Sequence, residues 1–135
     1  MNLLAGDILE PRTFTITRAD LVAYADASGD QHPIHQDEEV ARSVGLPGVI
    51  AHGMYTLALV GRAVAEWTDG AEVVDLGAKF TSPVVVPAEG GADVVVAGRV
   101  KSGADGLATL ALEVTCEGQK LLGMPKAVVK HPDRD

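Results

Sequence analysis

Within "SGDQHPIHQD", residues 28–37, an aspartate, two histidines and a proline share ten positions. Asp30 and His35 stand five apart, and Pro33 between them restricts the backbone. A carboxylate and an imidazole held close together can position a water and move protons near neutral pH. Spacing alone leaves a second reading open, in which Asp30 caps local backbone groups and His35 faces solvent. A metal reading would join His32 and His35 to the remote His52. His-x-x-His can bind zinc, but a loop interrupted by Pro33 is not the helical i, i+4 arrangement and the pattern names no further ligands. No metal is therefore expected.

A second candidate is "VIAHGMYT", residues 49–56. A glycine in the first turn of a buried helix lets a ligand approach free backbone N–H groups, where the helix dipole favours negative charge. The Gly53 N–H is such a donor and suits an oxyanion. Equally, Gly53 permits close helix packing.

The elements that must position these residues are legible in outline. "TFTIT", residues 13–17, alternates Thr with Phe and Ile, the pattern of a short strand. Thr17 is then a helix N-cap, with Asp20 three residues on as its capping-box partner. Leu21, Tyr24 and Ala25 fall at helical spacing over 18 to about 28. Gly29 and Pro33 end that helix and leave 28–37 on the loop beyond it. A short helix is expected from Asp37 to about Val44, stopped by "GLPG". Residues 53–67, "GMYTLALVGRAVAEW", are mostly apolar all round, as in a helix buried within something larger.

The second half reads as strands over 71–80, 92–100, 107–116 and 119–130. "TSPVVVPAEGG", "SGADG" and "EG" are the turns between them. Pro125 implies an edge or a bulge. Consecutive strands on short turns make an antiparallel sheet, on which the apolar helix must pack. One sheet covers only one side of that helix, so an oligomer is expected. With no repeats and no linker, 1–135 reads as a single domain.

At 135 residues and 47% hydrophobic, the chain has enough apolar content for a core. Its formal charge of -8 argues against nucleic acid and anionic membrane surfaces as partners, though not against a small anionic ligand. One cysteine, Cys116, excludes an internal disulfide and suits a reducing cytosol. The N-terminus lacks the basic and apolar segments of a signal peptide. The longest apolar stretch, 54–67, is interrupted by Gly61, Arg62 and Glu66 and is too short to span a bilayer. A soluble, cytoplasmic protein is the expectation.

"YADASGDQHPIHQD", "GVIAHGMYT" and "KFTSPVVVP", in this order, resemble the MaoC-like hydratase/dehydratase family. The likeness is closest to its (R)-specific enoyl-thioester hydratases and to the catalytic subunit of the mycobacterial 3-hydroxyacyl-ACP dehydratase. The resemblance implies an α+β hot-dog fold, a long central helix wrapped by an antiparallel sheet. It also implies two such units associating, as a homodimer or a heterodimer with another hot-dog subunit, with an acyl chain in a tunnel near their interface.

By the same resemblance Asp30 and His35 form a dyad that activates the water added across a trans-2-enoyl thioester, or removes it from a (R)-3-hydroxyacyl thioester. The Gly53 N–H receives the charge on the thioester oxygen, and Ser28, Gly29 and Pro33 frame the dyad. His32 stands where the family usually has Asn, whose amide helps hold the site. His52 is shared with the family and reads as an imidazole bonded to backbone near the helix start. Tyr55 and Thr56 are candidates to face the acyl chain. No cofactor is implied. The carrier is coenzyme A or the phosphopantetheine arm of an acyl carrier protein, and Lys79, Arg99 and Lys101 read as solvated surface that could meet its phosphates. The alternatives are a hot-dog acyl thioesterase, or a subunit active only as a heterodimer with a non-catalytic hot-dog partner. Hot-dog thioesterases commonly carry a carboxylate on or beside the central helix, and here that helix has only Glu66, at its far end. A non-catalytic acyl-binding subunit is disfavoured because both Asp30 and His35 are present.

Overall fold

In the computed structural model, which describes residues 3–130, the chain starts with a strand and finishes its sheet with the last one. Strand β1 spans Ile8–Ile16, earlier in its start than the alternating Thr residues suggest. Thr17 then caps helix α1, Arg18–Ser28, through the reciprocal bonds of a capping box with Asp20. Gly29 ends α1 at φ 86, a left-handed conformation that glycine adopts without strain, and its N–H returns to the Ala25 carbonyl. A 3-10 turn, Pro33–His35, follows. Helix α2, Glu38–Ser43, begins where Asp37 accepts the N–H groups of Glu39 and Val40. The long helix α3 spans Gly53–Thr68.

The remaining strands are β2 (Val73–Phe80), β3 (Ala92–Ala104), β4 (Leu107–Cys116), the two-residue β5 (Gln119–Lys120) and β6 (Leu122–Lys130). Among the described residues they form one antiparallel sheet in the order β1-β3-β4-β6-β2, with β5 against β4. Asp105 and Gly106 both take positive φ, so a tight two-residue turn joins β3 to β4 and Ser102–Ala104 belong to the strand. At Pro125 the pairing of β2 with β6 slips between Gly77 and Lys79, so a bulge absorbs the missing N–H.

One expected connection is corrected. Residues 81–91, "TSPVVVPAEGG", are not a turn between neighbouring strands, because β2 pairs with β6 and not with β3. The segment instead crosses beside the residues that precede α3. Ala51 donates to the Val84 carbonyl, Val86 donates to the Val49 carbonyl, and Ile50 faces Val85 in an antiparallel bridge. Val84 and Val86 point into the core, which accounts for the apolar run.

The inner face of the sheet is built by alternation: Ala108, Leu110, Leu112 and Val114 on β4, Val94 and Val96 on β3, and Ala127 and Val129 on β6. Onto it α3 lays Leu59, Val60, Ala63 and Val64. Each such side chain contributes roughly 1.5–3 kcal/mol on full burial, less for Ala. The opposite face of α3, with Met54, Ala58, Arg62, Ala65 and Glu66, is exposed in the single chain. Among the described residues no helix is long and apolar enough to cross a membrane.

Candidate active site

The loop after α1 is held by side chains answering backbone groups two residues on. The Ser28 hydroxyl accepts from the Asp30 N–H (3.1 Å), Asp30 Oδ1 accepts from the His32 N–H (3.2 Å), and His32 Nδ1 accepts from the Ile34 N–H (3.2 Å). Pro33 stands first in the 3-10 turn, where its fixed φ fits and its missing N–H costs nothing. This geometry turns Asp30 and His32 outward and carries His35 inward, to 8% exposure.

The imidazole of His35 is anchored from behind. Its Nδ1 lies 2.7 Å from the Ile50 carbonyl, and the Ile50 N–H donates to the Ile34 carbonyl. A carbonyl only accepts, so Nδ1 carries the proton and Nε2 is left as a bare, basic nitrogen. Burial pushes the His35 pKa below its ordinary value; the His52 and His32 rings act in the same direction, while the Ile50 bond and the Asp30 charge oppose.

His52, immediately before Gly53, is 2% exposed. Its ring stacks on that of His35, with centroids 3.8 Å apart and planes 21° from parallel, and tilts against Tyr24 at 4.7 Å. His52 Nε2 donates to the Asp30 carbonyl at 3.1 Å, while its Nδ1 is buried with no partner.

Asp30, His35 and His52 each bring one ligand atom within 4.8 Å of the others. This is not the set that joined His32 to His35 and His52, since His32 Nδ1 is occupied by Ile34 and its ring is exposed. His35 Nδ1 and His52 Nε2 each lie on a backbone carbonyl, which leaves one nitrogen of each ring open beside Asp30.

A cavity of about 290 Å³ opens beside His35. Gly53 and Thr56 line it from the first turn of α3, Phe80 and Leu122 from β2 and β6, and Pro83 and Val84 from the crossing segment. The His52 carbonyl takes the N–H groups of Tyr55 and Thr56, which leaves that of Gly53 outside the helix's own bonding. The Phe80 ring packs over Gly53, within 3.1 Å of where a Cβ would stand.

The structure thus brings Asp30, His35, His52, Gly53 and Thr56 to one place, with Ser28, Gly29, His32 and Pro33 shaping the loop. Tyr55 is not part of the lining; its ring stacks on Tyr24 at 5.1 Å. Lys79 is exposed beside Phe80, whereas Arg99 and Lys101 lie on β3 and do not line the cavity. Phe80 and Tyr24 were not singled out by residue type. Both lie inside the quoted motifs, but only the pairing of β2 with β6 and the packing of α1 against the histidines reveal what they touch.

Known proteins share this fold. The model of the MaoC-like domain matches residues 3–125. The chain is 36% identical over 85 residues to the mitochondrial 3-hydroxyacyl-[acyl-carrier-protein] dehydratase of Arabidopsis thaliana, an alignment covering 62% of this chain and 50% of that protein. A solved MaoC-like dehydratase superposes with a TM-score of 0.91 at 34% identity, over 96% of this chain and 41% of the other. The R-hydratase PhaJ1 from Pseudomonas aeruginosa superposes with a TM-score of 0.84 at 26% identity, over 97% and 84%. The chain spans half the length of the Arabidopsis relative. With a hot-dog fold and a family match along nearly its whole described length, the chain belongs to the MaoC-like domain family.

Proposed function

We propose that this chain is a hydro-lyase that reversibly adds water across trans-2-enoyl thioesters and removes it from (R)-3-hydroxyacyl thioesters. The observation that carries the reading is His35, tied by Nδ1 to the Ile50 carbonyl and with a ring nitrogen within 4.8 Å of the Asp30 carboxylate, at a cavity that Gly53 also lines. The relatives named as dehydratase and hydratase support the same class of reaction.

In this reading a water sits between the Asp30 carboxylate and His35 Nε2. His35 takes one proton as the water oxygen bonds to C3, and the C2=C3 electron pair moves to the thioester oxygen as an enolate. The Gly53 N–H holds that oxygen, and the proton passes to C2, so one water is added overall. Burial keeps His35 neutral and ready to accept, while Asp30 orients the water through its second hydrogen. Proton transfer of this kind contributes roughly 10²–10⁴ in rate, and one oxyanion donor about 10²–10³. Ser28, Gly29, His32 and Pro33 hold the loop, His52 supports both dyad members, and Thr56 borders the acyl chain. Tyr55 supports Tyr24 from behind. The reaction needs neither metal nor cofactor.

The substrate is carried on coenzyme A or phosphopantetheine; at a charge of -8, docking an acidic carrier protein requires a local basic patch. A second hot-dog subunit, identical or different, is the partner. The exposed Met54, Ala58 and Ala65 of α3 and the exposed Val73 and Val74 of the edge strand β2 support this. We place the chain, as one domain, in the cytoplasm, a setting that suits the single free Cys116.

Purified protein is mixed with trans-2-enoyl-CoA substrates of short and long chain, and loss of the conjugated thioester's ultraviolet absorbance is followed. Turnover that falls by roughly 10²-fold or more in Asp30→Asn is expected. Release of free thiol in place of reversible hydration would make the protein a thioesterase and overturn the reading.

A further inference from the structure

We infer that His52 is a positioning residue, an imidazole that holds the Asp30 backbone through its Nε2–H and the His35 ring with its flat face. The inference rests on the proposed hydratase reading and extends it to a residue that does not touch the substrate.

Three contacts meet in this one side chain. Its Nε2–H donates to the Asp30 carbonyl, which fixes the loop on which the carboxylate stands. Its flat face lies on His35, so the base cannot swing about its Nδ1 anchor toward α3. Its backbone is the N-cap of α3, which sets the position of the next N–H, that of Gly53. Tyr24 closes the other side, backed in turn by Tyr55, and the five rings His32, His35, His52, Tyr24 and Tyr55 form a continuous series.

The orphan nitrogen tells why histidine is used. Since the Asp30 carbonyl only accepts, the proton of His52 must lie on Nε2, and Nδ1 is a lone pair buried without a donor. A buried unpaired acceptor is costly, and phenylalanine would avoid it while keeping the stack. Asparagine would keep an N–H donor but lose the flat surface. An imidazole supplies both. The groups facing the pair are Asp30 and His32 from the loop, Tyr24 from α1 and Tyr55 from α3; Asp30 is the sole carboxylate among them. Burial is the first cause of the lowered His35 pKa, and the His52 ring stacked on it supplies part of that cover.

The test begins with the whole wild-type chain. Nitrogen-15 NMR of the ring nitrogens reads tautomer and protonation state without any turnover. His52 is expected with its proton on Nε2. An Nδ1–H tautomer at His52 overturns the inference even if the protein proves to be a hydratase. Failure of hydration leaves this NMR result standing and counts against the proposed function alone. His52→Phe and His52→Asn then separate stack from tether. Each is expected to lower kcat on the order of 10–100-fold with KM nearly unchanged, and His52→Asn, which uncovers one face of His35, to move the acid limb of the kcat/KM profile upward. Folded variants with wild-type kcat and an unmoved acid limb would show that His52 is only packing.

Discussion

The edge of the Phe80 ring lies against the α-carbon of Gly53, so that a methyl group placed there would meet Phe80 Cε1 at 3.1 Å. Gly53 is not in the left-handed region, so the restriction comes from this contact and not from its own backbone. Gly53→Ala must displace either Phe80 or the first turn of α3. A shift of about 1 Å at a reacting group costs on the order of 10² in rate, and a loss of that size is expected in steady-state hydration. Phe80→Leu added to Gly53→Ala is expected to restore part of it. No recovery would locate the cost in the helix backbone.

The depressed pKa of His35 gives the site a direction in pH. With burial as its main cause, the native state binds a proton less readily than the unfolded chain, whose histidine titrates at about 6.5. Stability from this group is whole above that pH and is lost as pH falls below it toward the lower native value. The acid limb of kcat/KM is expected below pH 6.5 for the same reason. Urea titrations between pH 5 and 7 are expected to show a smaller pH dependence in His35→Gln than in the wild type.

His32 does with a ring nitrogen what an asparagine oxygen would do, accepting the N–H of Ile34 at 3.2 Å. His32→Asn is expected to keep or raise hydratase activity and to leave the melting temperature nearly unchanged. His32→Ala loses the acceptor and is expected to slow turnover. A large loss in His32→Asn would give the imidazole a role of its own.

Thr17→Ala removes half of the capping box that starts α1, the helix whose end presents the loop. A loss of about 1 kcal/mol is expected, seen as a drop of roughly 4 °C in thermal melts. Thr17→Ser is expected to retain most of it.

What could be read from the sequence follows the range of the interactions. Thr17, Asp20 and Gly29 act within one helix, and their types alone mark its ends. Pro125 lacks an N–H, so a bulge could be foreseen without knowing which strand it faces. Residues 81–91 look like a turn because the period-2 pattern stops there. Nothing local states that β2 will pair with β6, some fifty residues away. The loop shows the same division. Asp30 and His35 stand out by spacing, while the stacking of His52 on His35 depends on how the start of α3 meets the loop. Phe80 is ordinary in composition and acquires meaning only from the glycine beneath it.

Asp30, His35 and Gly53 lie on one short continuous stretch, whereas Phe80, Pro83, Val84 and Leu122 reach the cavity from distant parts of the chain. Reaction and selectivity are thus inherited separately. Descendants of this sequence can drift at the cavity walls, and so change which molecules fit, without altering the segment proposed to carry the chemistry. A duplicated copy can widen its diet while keeping its trade.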